Sequence, residues 1–273
     1  MDELPSLKNS VFLVLAGFGC AILVAFIYVM AVFIVTSNPN ISVEQLRIAM
    51  LIGELTMPLP ILIWTFRRRQ KLTEVLRIHP VKSNLWIPVF LSGLSLIVLI
   101  DEIDRLLAEI FTMPDKLTEI EELMRIDGFL SGLVIIGLVV ILGPLIEEIV
   151  FRGFFQKVLE EKLSDVTYAV LLSALTFAIL HFNPWWVVQI YILGFFMAFF
   201  AYRTGSIILP FAIHALNNGI SVFVSQFDNL QLNFYLWNEH VNPVLVVFSL
   251  LVLYWSMRKF IILTEGSGQK NLG

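Results

Sequence analysis

The sequence predicts an all-α fold, a polytopic membrane bundle of about eight transmembrane helices forming one membrane domain over 1–273. Three observations predict it. Of the 273 residues 58% are hydrophobic and only 15% are charged, against roughly 25% charged in a soluble domain. Mean hydropathy is +0.85, and the apolar residues gather into runs near the length of about 20 residues that a bilayer requires. Lys and Arg crowd into alternate loops. The net charge of −4 and pI near 5.6 exclude a nucleic-acid partner, since no basic surface tracks phosphates. The one cysteine, Cys20, sits in an apolar run, so no intramolecular disulfide forms.

The expected spans cover about 11–36, 47–66, 86–100, 129–150 or on to 160, 166–182, 185–202, 207–226 and 242–257. The first is a retained anchor, because its apolar run outlasts a signal h-region and no small-residue cleavage site follows. The second is kinked by Pro58 and Pro60 and holds a buried acid, Glu54, read as a polar tether beside the kink. The third is short and stops at Asp101. The segment 101–127 has nine acids against three bases. With Leu106, Leu107, Ile110 and Phe111 at helical spacing, it reads as an amphipathic helix at the outer interface or as a solvated acidic loop. Spans five and six are separated by Asn183-Pro184-Trp185-Trp186, whose tryptophans read as interface anchors. The Gly and Phe residues at 194–200 read as packing against neighbouring helices and lipid. The Gly-rich tail from Glu265 reads as a mobile end.

Arg67, Arg68, Arg69, Lys71, Arg77 and Lys82 fix the orientation by the positive-inside rule. With that loop inside, 14 of the 18 Lys and Arg fall on the cytoplasmic side and both termini are cytoplasmic. The compact loops and the lack of an ER-retention ending point to a prokaryotic cell membrane, with lipids as obligate partners.

Acids and bases inside such spans cost at least ~2.5–3.5 kcal/mol each, so they meet one another or line a cavity. Three stretches carry them: LGPLIEEIVFRG (142–153), FAILHF (177–182) and PFAIHALNNG (210–219). On a helical wheel Glu148 lies about 40° from Arg152, and Glu147 about 140°. Glu148 therefore pairs with Arg152, leaving Glu147 outside the guanidinium clamp, as a general base must be. His214 and Asn218, four residues apart, offer two donors at one locus, which suits a developing oxyanion. These spans meet at one depth only if the fourth is long. Two His and one Glu (Glu147, His181 and His214) are also a catalytic zinc set, although no H-E-x-x-H is present. A structural hydrogen-bond network is the plainest alternative.

The motifs E-E-x-x-x-R (147–152), F-x-x-x-H (177–181) and H-x-x-x-N (214–218), in this order on separate apolar helices, resemble the CAAX protease and bacteriocin-processing family. This family of intramembrane endopeptidases is also called CPBP or Abi, and its best-known members are of the Ras-converting-enzyme type. The resemblance covers the core at about 129–226. It implies a glutamate-based hydrolase without a cofactor. Glu147 and His181 would activate a water, His214 and Asn218 would form the oxyanion hole, and Glu148 and Arg152 would support the first glutamate. It further implies a peptide or protein substrate, prenylated at a C-a-a-X end in the family's famous cases and a processed peptide in bacterial relatives. A non-catalytic scaffold or bacteriocin-immunity protein stands beside this reading. A proton-coupled transporter is a further rival, although the sequence has neither an internal repeat nor paired broken helices.

Overall fold

The computed structural model describes residues 4–38, 40–111, 123–227 and 234–265. Helix α1 (Leu7–Thr36) opens at Ser6, whose hydroxyl accepts the Asn9 N–H, and ends where Ser37 turns left-handed. Helix α2 (Val43–Thr56) opens on a capping box between Ser42 and Gln45. It breaks at Met57 and Pro58, where the ladder lacks an N–H, and resumes as α3 (Leu59–Arg67). A one-turn helix α4 (Leu72–Val75) lies in the basic loop.

Helix α5 (Trp86–Ile110) passes straight through Asp101, Glu102 and Asp104. The third span is thus not cut short at 100. Residues 101–110 are the end of that helix rather than a separate interfacial one, because no Gly or Pro interrupts the chain between Gly93 and Pro114. The rest of the amphipathic-helix reading, at 112–122, lies outside the described residues, as does the tail beyond Glu265.

Helix α6 is the continuous run Phe129–Lys162, containing two π-helical stretches, Ile136–Leu142 and Ile149–Phe155. Then follow α7 (Val166–Ile179), capped by Asp165, α8 (Val187–Thr204), closed by left-handed Gly205, and α9 (Ile208–Val224). A hairpin of β1 (Leu236–Trp237) and β2 (His240–Val241) turns through Asn238 and Glu239, both at positive φ. It leads to α10 (Pro243–Thr264).

Among the described residues, six helices are long and apolar enough to cross a membrane: α1, the broken run Val43–Arg67, Ser83–Ile110, α6, α8 and α10. The other two apolar helices, α7 and α9, are shorter. The protein is an all-α integral membrane bundle. Helix α6 forms its axis, buried on every side from Val150 to Gln156 and packed against α1, α2, α7, α8 and α9. Phe151, Phe154, Phe177, Met197, Phe200, Leu209 and Phe260 fill the core around it. At the rim, Phe12, Phe26, Val244 and Phe248 face outward, as lipid-facing side chains do.

Bonds between loops gather the helix ends into two sets. At one end Ile207 N–H donates to the Arg77 carbonyl, Ser206 to the His79 carbonyl, and Arg203 to Thr264. Arg77 pairs with Glu160 there. At the other end Arg47 donates to the Leu123 and Arg125 carbonyls, and Gln226 donates to that of Met124. There also Tyr235 donates to Asp101, and His240 meets Glu102 and Glu109. Burial and the Asp101 carboxylate hold the Tyr235 phenol well above its usual range.

Candidate active site

The site is built on α6, and the π stretches aim it. In the first of them the Gly143 N–H reaches back five residues to the Leu138 carbonyl. In that register the Val139 carbonyl looks to residue 144, which is Pro and has no N–H to give. Asn218 of α9 supplies the missing donor, its Nδ2 lying 2.9 Å from the Val139 oxygen. One N–H of the Asn218 amide is therefore committed to α6. Such π turns recur at functional sites.

The two adjacent glutamates point to different partners. Arg152 Nη1 donates to Glu148 Oε1 at 2.6 Å, and both side chains are wholly buried. Its Nη2 donates to the Gly194 carbonyl at 3.3 Å, and the guanidinium lies 4.0 Å above the Phe177 ring. Packing at Gly194 is close: a Cβ there would stand 3.2 Å from Phe177 and 3.4 Å from Arg152 Nη2, so these side chains would have to shift by a few tenths of an ångström. Glu148 Oε1 also faces His214 Nδ1 at 3.1 Å. A carboxylate only accepts, so Nδ1 carries a proton.

Glu147 faces the opposite side of that pair. Its Oε2 is buried without a hydrogen-bond partner, 3.7 Å from His214 Nε2 and 3.9 Å from His181 Nε2. His181 lies just past the end of α7, which stops at Ile179, and its Nδ1 donates to the Phe177 carbonyl at 2.7 Å. That bond leaves Nε2 of a neutral ring as an acceptor facing Glu147. The shortness of α7 and the length of α6 bring His181, Glu147 and His214 to a common depth. His181 is the most open of the three, with 30% of its side chain exposed against 18% for Glu147 and 7% for His214.

Sequence reasoning paired Glu148 with Arg152, and the two are bonded here. It gave Phe177 no role, yet this ring touches the site on three sides. It lies under the Arg152 guanidinium and edge-on to His181 and His214, with centroids 4.7 and 5.7 Å away. Its presence in the F-x-x-x-H stretch was the available signal. Glu54 also belongs near the site. Helix α2 packs on the Gly143–Glu148 turn, and Glu54 Oε2 is buried without a hydrogen-bond partner. Among the described residues no hydrogen bond or ring contact joins Trp185 or Trp186 to Glu147, His181 or His214; their backbone N–H groups donate to Asn183.

Among the described residues no three His, Cys, Asp or Glu side chains are arranged to hold a metal ion. What the arrangement offers chemically is a basic carboxylate oxygen between two imidazoles. One ring is set as an acceptor and the other is hydrogen-bonded to a second carboxylate.

Residues 129–220 match a family model described as Rce1-like, type II CAAX prenyl endopeptidase Rce1-like. Comparison with curated proteins and with solved structures gives no match. The matched stretch contains Glu147, Glu148, Arg152, His181, His214 and Asn218 together. Over that stretch, about a third of the chain, the sequence is similar to the Rce1-like CAAX endopeptidases, which supports the resemblance carried by the three motifs.

Proposed function

We propose that the protein hydrolyses peptide bonds within the membrane with Glu147 as general base. The observation that carries this reading is the unpartnered Glu147 Oε2, buried between the Nε2 atoms of two imidazoles from separate helices. A water bound by Glu147 and His181 Nε2 gives one proton to Glu147 as its oxygen attacks the scissile carbonyl carbon. The carbonyl oxygen becomes an oxyanion. His214 Nε2–H and the second N–H of Asn218 receive it. His214 can donate from Nε2 while Nδ1 donates to Glu148 only as the imidazolium. Collapse of the intermediate breaks the C–N bond, and the proton held by Glu147 passes to the leaving amine.

Glu148 and Arg152 take no proton in this scheme. They orient His214, and Phe177 holds the rings and the guanidinium apart. The substrate is a peptide or protein presented at the membrane. A C-a-a-X end or a bacteriocin-type precursor is the class the family suggests. The reading includes eight passes in a prokaryotic membrane, with the Arg67–Lys82 loop and both termini in the cytoplasm. It is supported by the meeting of alternate loops at the same end of the bundle. The direct test is cleavage of quenched peptides, with and without a prenylated C-a-a-X end, by purified protein and its Glu147→Gln variant. Turnover by the wild type alone supports the reading. Equal turnover by both removes Glu147 from the role of base, and no turnover by either overturns the reading in favour of a scaffold or immunity protein.

A further inference from the structure

Four residues of α6 recur at steps of four: Glu148, Arg152, Gln156 and Glu160. The first two belong to the site just described, whereas the other two form part of no motif. Gln156 is wholly buried. Its Nε2 donates at 2.8 Å to the Ala198 carbonyl and at 2.8 Å to Glu160 Oε1. Glu160 pairs with Arg77, and Arg77 Nη1 also meets the Arg152 carbonyl at 3.5 Å. Close packing joins this loop to the helix, because a Cβ at Gly153 would stand 2.6 Å from the Leu76 carbonyl.

The rungs between α6 and α8 have a simple pattern. Arg152 donates to Gly194 O, and Gln156 donates to Ala198 O. Donors and acceptors are each four apart and ascend together, so the two helices run parallel and are fixed in register at two successive turns. Small residues at 194 and 198 let the side chains of α6 reach the backbone of α8. One rung alone is a pivot. Two rungs fix both the slide and the roll of α6, and therefore where Arg152 holds Glu148 and where Glu148 holds His214. An apolar side chain of equal volume at 156 would fill the same space without burying an amide. Stability alone therefore does not account for the glutamine.

We propose that Gln156, anchored by Glu160 and Arg77, is a positioning residue for the reaction. It sets the register of α6 on α8, and through Arg152 and Glu148 the aim of His214. This rests on the hydrolase reading above. Gln156→Met keeps the length and removes both donor bonds. The wild type, Gln156→Met and Glu147→Gln are compared for peptide turnover and thermal midpoint. The imidazole nitrogen NMR signal of His214 is followed too, assigned in this four-histidine chain through His214→Gln. Gln156→Met is expected to melt no lower than the wild type. Its kcat should fall roughly 10- to 100-fold at unchanged KM, and its His214 signal should move.

A folded Gln156→Met with wild-type kcat and an unmoved His214 signal overturns the proposal. A wild type without turnover defeats the hydrolase reading alone, and the His214 signal then decides whether Gln156 holds the site. If Gln156→Met does not fold, the double variant Arg77→Met with Glu160→Met replaces it, since it removes an ion pair as a unit. It leaves Gln156 held at Ala198 only. A smaller fall in kcat with a moved His214 signal supports the proposal, and no change in either overturns it.

Discussion

Glu147 and Glu148 are neighbours in sequence and differ in everything else, because the helix turns about 100° between them. Glu147→Gln keeps shape and removes basicity. Turnover should drop by at least the ~10²–10⁴-fold credited to a general base, with the melting curve of the detergent-solubilised protein unchanged. Glu148→Gln leaves a buried guanidinium uncompensated. Losses of about 3–5 kcal/mol are usual when one partner of a buried pair is removed, so yield and thermal midpoint should fall first. The double variant Glu148→Gln with Arg152→Gln should recover part of that stability, because both charges leave together. A well-folded, inactive Glu148→Gln beside an active Glu147→Gln would reverse the two roles. Metal content belongs to this scale as well. Activity is expected to survive strong chelation, and loss restored by zinc alone would turn Glu147, His181 and His214 into ligands. The wheel made the Glu148–Arg152 pair legible from the sequence, since i,i+4 geometry is local. Phe177 was not legible as a platform, because two of its three contacts, Arg152 and His214, come from other helices.

Helix α6 departs from regular geometry on either side of the turn that holds Glu147 and Glu148, and no hydrophobic pattern marks a π stretch. Its consequence is nonetheless written in two residues far apart in the chain, Pro144 and Asn218. Asn218→Leu should orphan the Val139 carbonyl and cost about 1–3 kcal/mol, read as a lower thermal midpoint. Adding Pro144→Ala supplies an N–H in the π register, and should restore stability without restoring turnover. A midpoint unaffected by Asn218→Leu would show that this carbonyl finds another donor. Other elements were easier to read from the sequence. Among the described residues, six helices long and apolar enough to cross a membrane and two shorter apolar ones lie on the stretches that hydropathy marks, and the kink at Pro58 falls where the missing N–H requires. The end of α5 was misread because the charge of Asp101 looked like a boundary. A helix, however, continues past a charge when nothing breaks its backbone.

At the scale of the molecule, the crowding of basic residues into alternate loops leads to a topology that can be tested directly. Cys20 is exposed, so the measurement needs a Cys20→Ser background. In sealed cells an impermeant thiol reagent should reach a cysteine placed at 110–125 and miss one placed at 68–80. Labelling of the 68–80 loop from outside would invert the orientation and with it the side on which substrates arrive.

Helices α7 and α9, which deliver His181 and His214, have 14 and 17 residues. At 1.5 Å per residue they measure about 21 and 26 Å, less than the roughly 30 Å of hydrocarbon in an ordinary bilayer. Around this side of the protein the acyl chains must compress or yield to headgroups and water. On the proposed hydrolase reading, a polar peptide backbone reaches Glu147 beside these short helices with less dehydration than the centre of a full-thickness membrane would demand. Thickness then becomes a control on rate. Reconstituted into vesicles of increasing acyl length, the protein should lose turnover as the bilayer thickens, while detergent-solubilised activity stays constant across preparations. A rate indifferent to chain length would mean that the helices around α7 and α9 shield the centre from the lipid altogether.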